Sequence, residues 1–83
     1  MITSGQIKAA RALLGVTVAE MAKLAGIGFT TMVRLESADG VPGGNLKTIT
    51  SVKDAFEKAG IEFLGSPEDG AGVRWKPKSK KEV

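Results

Sequence analysis

The side chains of this sequence that could do chemistry are Asp, Glu, Lys, Arg, Ser and Thr. Its 83 residues include no cysteine, no histidine and no tyrosine. That removes thiolate nucleophiles, disulfides and zinc knuckles. It also removes imidazole bases, Ser-His-Asp triads and histidine metal ligands. The acids Glu20, Asp39, Asp54 and Glu57 have neither paired-carboxylate nor metal-loop spacing, and read as caps and surface charge. Gly43-Gly44 is not followed by Gly-Lys-Ser, so it is no phosphate loop. No enzyme, metal or cofactor is expected. The remaining chemistry is cationic: Lys and Arg number 12 against 9 Asp and Glu, a net charge of +3. With a sequence pI of about 9.5, this suits a polyanionic partner such as nucleic acid.

Helices must position those charges. Thr3 and Gln6 stand at capping-box spacing, and Ile7, Ala10 and Leu14 recur at helical spacing up to Gly15, which predicts a first helix over about 4–14. Thr17 and Glu20 repeat the capping signature. They predict a second helix over Val18–Leu24, with Met21, Ala22 and Ala25 on one face and Gly26 at its exit. A third helix is expected from near Gly28 to about Ser37, on the apolar pair Met32 and Leu35. After a loop, Asn45 caps a fourth, with an apolar stripe of Leu46, Ile49, Val52 and Phe56 and an Asp54–Lys58 pair on its polar side. Beyond Gly60 the period shortens. Ile61–Leu64 and Val73–Lys76 alternate around a glycine-rich stretch, a β-hairpin with a long loop and an inward face of Ile61, Phe63, Val73 and Trp75.

Residues 18–37 carry the functional signal. Two short helices meet across Ala25-Gly26-Ile27, with Ala22 small enough for a close crossing and Gly26 free to take positive φ. Met21, Ile27, Met32 and Leu35 anchor the pair from within. This unit resembles the helix-turn-helix of the XRE (phage-repressor, Cro-like) family of transcriptional regulators. The likeness includes Ile7-Lys8-Ala9-Ala10-Arg11 with Gly15-Val16-Thr17 at the opening, and Arg34-Leu35-Glu36 at the end of the third helix. It covers about residues 4–60, and Ala-Arg-Ala-Leu-Leu-Gly and Ala-Gly-Ile-Glu-Phe are similar to stretches of a bacterial subgroup.

The resemblance implies a mainly α fold, with a four-helix phage-repressor-like domain over 1–60; the short C-terminal β-hairpin read at 61–76 stands where the family usually has a fifth helix. It implies double-stranded DNA as partner, and regulation of transcription by a repressor whose third helix enters the major groove. Carried over, the base-reading residues are Phe29, Thr30, Val33, Arg34 and Ser37. Thr17, Val18, Thr31, Asn45 and Lys47 would hold phosphates, the first two through free N–H groups at a helix start. Arg11 and Glu36 would pair across the first and third helices. The chain departs from the family pattern at Val18, Gly28 and Phe29, where Gln, Ser and a polar or basic residue are frequent. The outer face of the third helix is thereby unusually apolar. This favours the alternative: a protein-interaction module or antitoxin-like partner protein, binding through Phe29, Met32 and Val33. Phe29 could also fold back on its own domain.

One small domain touches few base pairs, so a homodimer is expected. The hairpin, with Phe63, Leu64, Val73 and Trp75, is its expected interface. Trp75 could instead pack in the core. Residues 77–83 read as a lysine-rich flexible tail, solvated or tracking phosphate. No apolar run nears the ~20 residues of a membrane span, and Met-Ile-Thr-Ser-Gly-Gln lacks the features of a signal peptide. The expected compartment is the cytoplasm.

Overall fold

The structure is a computed structural model that describes residues 1–77. Four helices, α1 (Ser4–Leu14), α2 (Val18–Ala25), α3 (Phe29–Ser37) and α4 (Leu46–Lys58), precede an antiparallel hairpin of β1 (Ile61–Ser66) and β2 (Asp69–Trp75). Apart from Pro77, the lysine-rich tail expected at 77–83 lies outside the described residues. Among those described, no helix is long and apolar enough to cross a membrane.

Local hydrogen bonds set the helix ends. Thr3 and Thr17 each accept from the backbone N–H three residues on, and Gln6 and Glu20 accept from the threonine N–H in return. Both capping boxes are therefore complete. Asn45 caps α4 by accepting from the Lys47 N–H at 2.9 Å. α2 ends as Gly26 turns left-handed (φ 71°), its N–H donating to the Lys23 carbonyl while the Ile27 N–H donates to that of Ala22. This pair of bonds is a Schellman motif, and it reverses the chain within three residues of α3.

The core runs through all four helices and the hairpin. Ile7, Ala10, Met21, Met32, Val52, Phe56 and Ile61 are fully buried, with Ile2, Ala22, Leu35 and Ile49 nearly so. Leu46 does not join the stripe expected of it. It is the first residue of α4 and 63% exposed, one turn short of the core, which α4 enters at Ile49. The ion pair on α4 is Lys53–Glu57 at 3.8 Å instead of Asp54–Lys58. Lys53 and Glu57 are both partly covered, which narrows their rotamers, whereas Asp54 and Lys58 stand in solvent.

The hairpin also differs from expectation. Its strands continue through the stretch read as a long loop and turn at Pro67-Glu68. Glycine makes this possible. Gly65 is left-handed (φ 73°), and a Cβ there would fall 2.3 Å from the Gly70 carbonyl oxygen, so the strands close to a distance that only glycine permits. Trp75 is not an inward residue. It sits at the end of β2, 50% exposed, with its ring edge over Gly60. Phe63 does face inward, edge-on to Phe56 with ring centroids 5.9 Å apart.

A two-stranded sheet is marginal in water and needs anchoring. Gln6, only 4% exposed, supplies an anchor. Its Oε1 completes the α1 capping box, while its Nε2 donates to the carbonyls of Leu64 (3.0 Å) and Gly72 (2.9 Å), one on each strand. Gln6→Glu separates the two roles, since a carboxylate still accepts from the Thr3 N–H but faces two carbonyl oxygens without a donor. A loss of about 1–3 kcal/mol in urea unfolding is expected. Faster amide exchange in β1 and β2, with α1 still protected, would locate it; unchanged hairpin exchange would contradict the anchoring role.

Candidate functional site

α3 is a weak helix held in place from behind. Its nine residues include Thr30, Thr31 and Val33, all β-branched, and Gly28 offers no side-chain cap. Alone, so short a helix would not persist in water. Three contacts fix it. Met32 and Leu35 are buried in the core. The Ser4 hydroxyl donates to the Leu35 carbonyl, satisfying an acceptor in the last turn. Glu36, with 8% of its side chain exposed, receives the Arg11 guanidinium in a two-pronged arrangement, Nε to Oε2 at 2.9 Å and Nη2 to Oε1 at 3.0 Å. Arg11 Nη1 also donates to the Val16 carbonyl at 3.2 Å, tying in the turn between α1 and α2. The Glu36 hydrogen bond raises the Arg11 pKa above its ordinary value, so the guanidinium stays charged throughout the accessible pH range. Ser4 and Arg11 lie seven residues apart on one stripe of α1, with buried Ile7 between them.

With that face committed, the opposite face of α3 meets solvent. Phe29, Thr30, Val33, Arg34 and Ser37 are all exposed, at the i, i+1, i+4, i+5, i+8 positions that form one stripe. The structure thus brings the five residues expected to read bases onto one surface. Phe29 is 56% exposed and does not fold back on its own domain; Val33 is 39% exposed. Arg34 forms no ion pair with any described residue. The Ser37 hydroxyl is turned back onto its own helix, donating to the Val33 carbonyl at 2.7 Å. The one carboxylate on α3 is the buried, paired Glu36, so the exposed stripe carries one cation and no anion. Met32, which the alternative reading would place on this face, is fully buried.

The residues expected on phosphates are more dispersed. Thr17 is exposed, but its N–H and Oγ1 are engaged by Glu20. Hydrogen bonds from the Thr17 backbone and side chain hold the Glu20 carboxyl below its ordinary pKa. A carboxylate therefore stands at the start of α2, where a phosphate was expected. Val18 and Thr31 are half-buried, with Val18 packed on the core. Asn45 and Lys47 are exposed at the start of α4. Of the four hairpin residues expected at a dimer interface, Phe63 and Val73 pack on their own core, Leu64 is half-buried and Trp75 is exposed. Sequence reasoning missed Ser4 and Gln6 as positioning residues. Both are polar positions in the first turn of α1, and their partners lie 31 to 66 residues away.

Arg11→Ala leaves the Glu36 carboxylate buried without its partner and is expected to cost about 3 kcal/mol, the lower end for breaking a buried pair, in urea unfolding. The double change Arg11→Leu with Glu36→Leu should recover most of that loss, because it removes both charges. A single variant as stable as the parent would show that the pair does not hold α3.

No protein-family model matches this chain, and no curated protein matches it.

Proposed function

We propose that the chain is a DNA-binding regulator of transcription, acting as a repressor, in which α2 and α3 form a helix-turn-helix of the phage-repressor type and α3 enters the major groove. The observation that carries this reading is the exposed stripe of Phe29, Thr30, Val33, Arg34 and Ser37, with its single free cation and no acid. Such a surface suits a groove walled by phosphates. Contacts to α1 occupy the back of α3, as a helix presented to DNA requires. Lys47 and Asn45 at the start of α4, and the net charge of +3, supply further attraction to the backbone. Two copies on half-sites about 34 Å apart would supply the specificity that one small domain lacks. Trp75 and the open edges of the hairpin are the surface available for that pairing.

A second reading has one observation in its favour. Phe29 and Val33 give the stripe an apolar character that would also suit a protein partner. Salt separates the two. On DNA, contact with about six phosphates gives a log–log slope of affinity against salt near −5. An apolar protein interface gives a shallow slope. Arg34 is the side chain expected to contribute most to base recognition. Arg34→Ala should cost about 1–3 kcal/mol with specificity relaxed at one base position. Fluorescence anisotropy with genomic DNA fragments measures both quantities, and unchanged affinity in the variant would rule out the docking of α3.

A further inference from the structure

We infer that α3 selects its DNA site largely through the C5-methyl groups of thymine, contacted by Phe29 and Val33, with Arg34 reading a neighbouring guanine. This deepens the DNA-binding reading and rests on it. The stripe has few groups that can hydrogen-bond to a base. The Ser37 hydroxyl proton is donated to the Val33 carbonyl, leaving Ser37 as an acceptor only and Thr30 and Arg34 as the side-chain donors. Two of the remaining exposed side chains are hydrocarbon, Phe29 at 56% and Val33 at 39% exposure.

The most apolar group in the major groove is the thymine methyl; cytosine offers only a C5–H at the same position, and the other features are hydrogen-bond donors and acceptors. A phenyl ring pressed on a donor or acceptor strips its water and returns no hydrogen bond, which is unfavourable. The same ring on a methyl buries apolar surface on both sides. Phe29 and Val33 therefore favour thymine by attraction and disfavour the other bases by uncompensated desolvation. What places this apolar pair against DNA is charge. The adjacent Arg34 is unpaired among the described residues, and the one α3 carboxylate is buried against Arg11.

Spacing makes the inference specific. Phe29 and Val33 are four residues apart, a rise of about 6 Å along the helix. Base pairs repeat every ~3.4 Å, so the two side chains reach thymines about two steps apart. Arg34, next to Val33, falls on a guanine beside the second thymine.

The test begins with a pool of random duplex DNA from which the full chain selects binders. The enriched duplex is then resynthesised with deoxyuridine in place of thymidine, which removes the methyl and keeps pairing and phosphates. At fixed salt, affinity is expected to fall about four-fold for each contacted methyl, and roughly fifteen-fold for two in one half-site. Phe29→Ser, an exposed change whose folding circular dichroism verifies, should bind the two duplexes more nearly alike. Equal affinity of the parent protein for the thymidine and deoxyuridine duplexes would overturn methyl reading and leave DNA binding intact. Failure to enrich or bind any duplex would overturn both.

Discussion

Glu36 is a carboxylate with 8% of its side chain exposed, on a helix that would not persist alone. Taking such a charge out of water is tolerable only with a well-placed counter-charge. The two-pronged Arg11 guanidinium supplies it and fixes an angle as well as a distance, since both nitrogens must meet both oxygens. Because the third nitrogen holds the Val16 carbonyl, the same side chain couples α1, the turn into α2 and α3. The placement of the exposed stripe of α3 depends on this contact. The net stability it adds is modest compared with what its loss would cost.

α1 acts as a spine that faces two ways. Ser4, Ile7 and Arg11 look toward α3; Gln6 looks toward the hairpin. Each polar side chain among them has a partner, and among the described residues no buried side-chain nitrogen or oxygen lacks one. With its inward face held by these contacts, α3 has one side left for solvent. The exposed stripe is a consequence of that economy. Met32, Leu35 and Glu36 are used inward, so residues 29, 30, 33, 34 and 37 are left outward.

Much of this was legible in the sequence, and the reason is locality. Thr3 with Gln6, Thr17 with Glu20, and Gly26 after α2 act within three to five residues, so their spacing alone places the ends of α1 and α2. The stripe on α3 follows from the same periodicity once Met32 and Leu35 are taken as its buried side. What was not legible is long-range or geometric. Nothing in the type of Gln6 distinguishes a cap from a cap that also holds a hairpin 58 residues away. The turn-rich composition of residues 65–72 looks like a loop, yet its glycines let two strands close tightly. Trp75 alternates correctly with the core, but the sheet ends before the core can cover it. The Arg11–Glu36 pair is intermediate: its charges are ordinary in sequence, and the family resemblance suggested their meeting.

The most direct measurement is amide chemical-shift mapping of the full chain, isotopically labelled, during titration with duplex DNA. Shifts concentrated on Phe29, Thr30, Val33, Arg34 and Ser37, with smaller ones at Asn45 and Lys47 and little change on the exposed side of α4 around Asp54 and Lys58, are the expected result. Saturable shifts that leave α3 untouched and fall elsewhere on the surface would contradict the assignment of α3 as the DNA-reading helix.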